Sequence, residues 1–352
     1  MSELGAAVND LPLLKFGMTG FCSTARQQVI DAARAMPQIT AVWRVSSFSS
    51  ADCWLVCGEK TLPVPAALGA EHTTLRVSAG LPTEHARTLH LPDIDRPLAF
   101  SVPLCSNDIT PQLAFNLASP RSMHRVFKQF QECMRPTLAR FALGRQLARR
   151  ESGLQAAVYH VMHRGKLLAV FDFIAWRIGF LPTASLECLE HAVWHKRPVL
   201  ARAIPEHFLP TDVAQLRWTY AQLTTLDVLP TRYKNGLIYF RQPPSVPLAW
   251  QTDSQLLVLQ ELSMRPADMQ TLVQRTGLAP EQLGRDLACL YFAGSLTTHA
   301  SNAAQANAIK RTSENADTNR FSRNFGNAFD SSLPVDERAL TTSTPTVPAQ
   351  LR

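Results

Sequence analysis

The strongest constraint on this chain is the alternation between Leu13 and Met134. Short apolar runs rich in β-forming residues take turns with stretches whose apolar positions recur at helical spacing. The first run is LLKFGMTGF. A helix follows across TARQQVIDAARAM, where Val29, Ala32, Ala33 and Met36 share a face and Pro37 ends the pattern. Further strands fit TAVWRVSS, DCWLVCG, TTLRVSA and LAFSVPL, ahead of a helix across SMHRVFKQFQECM. Alternation at this spacing predicts an open α/β sheet over residues 1–120.

With 352 residues the chain is long enough for two or three domains. Its 46% apolar and 18% charged residues, with 24 prolines against 15 glycines, exclude collagen, coiled coil and wholesale disorder. The longest apolar run, Leu167 to Phe180, is broken by Asp172 and Arg177, so no bilayer-spanning segment and no membrane insertion are expected. The N-terminal MSELGAAVND has two acids and neither a basic nor an apolar leader region, which predicts a cytoplasmic location. Seven scattered cysteines, an odd number, suit reduced thiols better than a disulfide framework.

The net charge of +7 is unevenly distributed: −2 over residues 1–120, +10 over 121–249, −2 over 250–300 and +1 over the remainder. The basic character therefore belongs to the middle of the chain. That middle opens with a basic amphipathic helix pair over 121–150, broken near Pro136, with eight basic side chains against one acid. A hairpin follows, QAAVYHVMH and LLAVFDFIAW about Arg164-Gly165-Lys166. Helices are then expected at ASLECLEHAVWH and at TDVAQLRWTYAQL, the latter capped by Thr211, and a strand at GLIYFRQ closes this central α/β module. Pro243, Pro244 and Pro247 form a stiff connector. Over residues 250–300, Thr252 and Gln255 make a capping box, Pro266 opens a second helix that stops at Gly277, Pro280 opens a third, and SLTT reads as a strand. Residues 301–352 hold 18 Ser, Thr or Asn and few large apolar groups, the composition of a disordered tail. In it Phe321, Phe325 and Phe329 recur every four residues, the spacing of a docking helix.

In layout, residues 1–135 resemble a response-regulator receiver domain, with five strand candidates in order and Pro103 after the fifth. The resemblance implies an acid pair after the first strand, a phospho-accepting aspartate at the end of the third and a lysine after the fifth. Met18-Thr19-Gly20, Cys57-Gly58 and Val102-Pro103 stand there instead, so a receiver of this kind would be degenerate, without a carboxylate to hold magnesium or accept phosphate. An unrelated open α/β domain fits the same layout. The spacing over 250–300 resembles a winged helix-turn-helix, which implies DNA contact through the third helix. Its outward positions read as Glu281, Gln282, Arg285 and Asp286, two acids where phosphates would lie.

Catalytic motifs are missing: there is no GxSxG, no GxxxxGK[ST] and no GxGxxG after the first strand. His191 with His195, expected on a helix, and His160 with His163 lack the companions of a zinc site, so neither metal nor cofactor is expected. The positive signal is the basic segment. Arg145 and Arg149 lie one helical turn apart and Arg177 stands beside Trp176, groups suited to an anionic nucleotide. The sequence thus points to a bacterial-type, non-catalytic signalling or regulatory adaptor that binds a protein and senses a nucleotide through Arg145, Arg149 and Arg177. The alternatives are a DNA-binding transcriptional regulator and an enzyme whose site carries no known motif.

Overall fold

A computed structural model describes residues 10–36, 41–64, 74–106, 109, 111–150 and 153–304. The tail beyond residue 304, with its three phenylalanines, lies outside this set. Strand β1 (Leu13–Thr19) leads through Gly20, whose φ is +80°, into helix α1 (Ser23–Arg34). Then come β2 (Val42–Val45), β3 (Cys53–Val56), β4 (Thr61–Pro63), β5 (Thr74–Val77), β6 (Arg87–His90), β7 (Leu98–Val102) and β8 (Ala114–Asn116). Five of these form a parallel sheet in the order β2-β1-β3-β7-β8. Strands β4, β5 and β6 form a separate antiparallel sheet inserted between β3 and β7. TTLRVSA is therefore a strand, as expected, but not a member of the parallel sheet, and LAFSVPL supplies the fourth parallel strand rather than the fifth. The fifth, β8, is only three residues long and carries too little pattern to be read in advance. Where a helix could connect β2 to β3 there is a serine-rich loop.

Helix α2 (Pro120–Cys133) starts at Ser119, whose hydroxyl accepts the Ser122 amide, and lays Met123, Val126, Phe127 and Phe130 on the parallel sheet. The Phe127 ring lies 5.3 Å from Phe16 and 5.0 Å from Trp43. After a break at Met134, α3 (Arg135–Arg150) runs on into the central region. There β9 (Val158–His163) and β10 (Lys166–Asp172) form the expected hairpin, followed by β11 (Arg177–Phe180), α4 (Leu186–Glu190), β12 (Val193–Arg197) and β13 (Leu209–Thr211). Their antiparallel sheet has the order β12-β9-β10-β11-β13. The helix expected through His195 stops at Glu190, and Val193–Arg197 is instead an edge strand. Its exposed side chains give no alternation by which a strand would be recognised.

Helix α5 (Val213–Leu223) is capped by Asp212 rather than Thr211. After α6 (Thr231–Asn235) come β14 (Tyr239–Phe240), α7 (Asp253–Met264), α8 (Met269–Thr276), α9 (Pro280–Phe292) and β15 (Leu296–Thr297). The capping box of α7 and the left-handed Gly277 after α8 stand where the sequence puts them. Strand β14 pairs with β15, so the end of the central region is joined to the C-terminal helices. One apolar core runs continuously from Leu14 on β1 through α2 and α3 to Leu223 on α5. A second gathers Trp218 and Ala221 of α5 with Leu283, Leu287 and Leu290 of α9. Helix α5 thus serves both cores. The fold is mixed α/β, and no helix among the described residues is long and apolar enough to cross a membrane. All seven cysteines are free, with Cys53, Cys57 and Cys289 buried.

Candidate functional site

Where α3 leaves its contact with the parallel sheet, Arg140 projects from a helix whose Leu138, Ala139 and Phe141 are buried. The Arg140 guanidinium lies 5.3 Å from the Phe180 ring at the end of β11 and 5.0 Å from the Trp250 ring. Trp250 is presented by the turn after Pro247, where the proline-rich connector directs it back onto α3. Arg140 and Trp250 line a cavity of about 680 Å³. Its walls are the Ser49–Asp52 loop, Asp95 to Pro97 ahead of β7, the junction of α2 and α3, Thr219 and Gln222 of α5, and the start of α7.

Arg96 and Asp52 of this cleft have partners. Arg96 donates to Asp95 at 2.7 Å and to the Ala51 carbonyl at 2.7 Å, and its guanidinium covers the Trp54 ring at 4.8 Å. Asp52 accepts the Lys15 amide at 2.7 Å, and burial raises its carboxyl above the usual range. The capping box of α7 satisfies two backbone amides, Thr252 Oγ1 accepting from the Gln255 amide and Gln255 Oε1 from the Thr252 amide. Arg140 differs: its Nε is buried without a hydrogen-bond partner, and burial lowers its pKa with no nearby carboxylate opposing the shift.

Of the three arginines named from sequence, one is buried and two are exposed. Arg145 is 4% exposed and donates to Glu190 at 2.6 Å and to the Asp10 carbonyl. Next to it Gln146 donates to the Leu189 carbonyl and accepts Trp194 Nε1 at 2.6 Å. Together they fasten α3 to α4 and β12. Arg149 and Arg177 are exposed, and among the described residues no hydrogen bond or ion pair joins them to each other or to Arg145. Sequence reading found the right helix and missed Arg140, whose partners stand 40 and 110 positions away. No local pattern signals such a cluster.

The histidines are separated in a similar way. His195 sits opposite His160 in the β12–β9 ladder, His160 Nε2 meets the Ala201 carbonyl at 2.8 Å, and the His163 and His191 rings are 6.4 Å apart. Among the described residues no group of three His, Cys, Asp or Glu could hold a metal ion. A second cavity, about 480 Å³, opens beyond the ends of β1 and β2, between Arg26, Phe48 and Arg87. There Glu84 accepts the amides of Gly20 and Gly80, and Arg87 covers Phe48 at 4.8 Å.

Helix α9, the counterpart of a DNA-reading helix, packs Leu283, Leu287 and Leu290 inward and keeps Glu281 exposed and Gln282 and Arg285 half-buried, as expected. Asp286, expected to face outward, is 2% exposed. Gln282 donates to it at 3.0 Å, and Lys15 of β1 is among the charges that act on it. Its neighbour Cys289 points at the Trp218 carbonyl of α5. No protein-family model, no curated protein and no solved structure matches this chain, so its function has to be argued from its own residues.

Proposed function

We propose that the chain is a non-catalytic regulatory or adaptor protein of the cytoplasm that acts by binding another protein. The observation that carries this reading is the charge of the accessible side of α9, where Glu281 and Gln282 stand beside Arg285 while Leu283, Leu287 and Leu290 pack with α5, which supports protein contact over phosphate contact. Support for a protein partner comes from β12. It is an edge strand with open backbone positions on one side, and exposed apolar groups cluster beside it: Val193 is 56%, Val199 49% and Leu200 96% exposed. Lys196 and Arg197 add positive charge to the same strand, which suits an acidic segment.

Quantitative pull-down with the full chain and with Leu200→Glu tests the reading. Leu200 makes no core contact, so the variant folds, and a partner enriched by the wild type is lost from it. Identical sets of captured proteins would contradict the assignment. Capture of DNA alone would favour a transcriptional regulator.

A further inference from the structure

We propose that the cleft around Arg140 binds a small organic anion carrying one carboxylate on a flat ring. This goes beyond the adaptor reading and stands without it. The first argument is charge. Arg140 is half-buried with two aromatic rings within 5.3 Å of its guanidinium, its buried Nε has no acceptor, and among the described residues no carboxylate pairs with it. A cation taken out of water is costly unless an anion meets it, and here the space beside the guanidinium is cavity rather than protein. A carboxylate fits the planar fork of an arginine.

The second argument sets the ligand's total charge. The cavity wall contains Arg96 and Arg140 but also Asp52, Asp95 and Asp253, and Arg96 is already matched by Asp95. One unmatched cation beside additional acids accommodates a single negative charge and repels a polyphosphate. The third argument is shape. Trp250 is partly exposed and its ring lines the cavity, which gives a flat ligand a surface to stack on. The volume of about 680 Å³ lies in the range of small-molecule pockets.

The test is calorimetric titration of the full chain with 2-naphthoate, its neutral amide, AMP and ATP, repeated on Arg140→Gln and Arg140→Lys. The expected result is saturable binding of 2-naphthoate, no binding of the amide, weaker or absent binding of AMP and ATP, and a loss of about tenfold or more in Arg140→Gln with partial retention in Arg140→Lys. Thermal unfolding of both variants verifies folding, and should Arg140→Gln fail to fold, the lysine variant and the amide still decide. Equal binding of acid and amide, wild-type affinity in both variants, tighter binding of ATP, or no saturable naphthoate binding below about 1 mM would each overturn the proposal. None of these outcomes depends on the pull-down with Leu200→Glu.

Discussion

Arg145 of α3 and Glu190 at the end of α4 form an ion pair of 2.6 Å whose two ends differ sharply: the arginine side chain is 5% exposed and the glutamate 36%. The same guanidinium also reaches the carbonyl of Asp10, whose carboxylate accepts Thr224 Oγ1 at 2.7 Å. A residue ahead of β1, two central helices and the end of α5 are thus tied together by one side chain. Arg145→Ala is expected to destabilise the protein by about 3 kcal/mol, the lower part of the range for breaking a buried pair, because water reaches Glu190. Arg149→Ala, on the exposed side of the same helix, is expected to change stability by less than about 0.5 kcal/mol. Urea unfolding of the two variants checks both, and similar losses would show that Arg145 is not the tie.

Glycine at position 144 is expected to be irreplaceable. Alanine in a helix interior normally stabilises by about 1 kcal/mol over glycine. At Gly144, however, an added methyl would overlap the carbonyl oxygen of Leu216, because α3 and α5 approach closely there. Gly144→Ala should lower the melting temperature. A rise would mean that the helices separate without cost.

Much of this was readable from the chain because it was local. The parallel strands β1, β2 and β3, the β9–β10 hairpin, the Thr252 capping box and Gly277 announce themselves through periodicity and turn chemistry. What escaped was set by distant partners. Arg145 and Arg140 differ little in sequence context, yet one meets Glu190 and the other two rings. Asp286 looks outward on a helical wheel drawn for an isolated α9, yet in the fold it is buried with Ser254 of α7 and Lys15 of β1 acting on it. Edge strand β12 reads as helix in the sequence because an exposed edge need not alternate.

Asp286 gives the fold a pH dependence of known sign. Burial raises its pKa from 3.8, with hydrogen bonds from Ser254 and Gln282 and the charges of Lys15 and Arg285 opposing the rise. The folded state then binds more protons than the unfolded chain above pH 3.8, and this group's contribution to stability falls as pH rises through its folded pKa. The stability of Asp286→Asn relative to wild type should therefore increase from acid toward neutral pH. Urea midpoints measured across that range test this, and a relative stability that is flat or declining with pH would refute it.

Helix α7 depends on its cap. Thr252→Ala removes the acceptor for the Gln255 amide and leaves the Gln255 side chain answering only the backbone of residue 252. A loss of about 1 kcal/mol is expected in urea unfolding. No loss would indicate that the first turn of α7 is held by packing alone.

The most direct test of the account is footprinting of the full chain on DNA at several salt concentrations, with wild type and Arg285→Ala side by side. With α9 packed on α5 and its Asp286 buried, the account predicts no sequence-specific protection at physiological salt. Any weak binding should fade steeply with salt and be the same in both proteins, since it would come from the basic 121–150 segment. A discrete protected site that persists at physiological salt and disappears in Arg285→Ala would contradict the account and make α9 a reading helix.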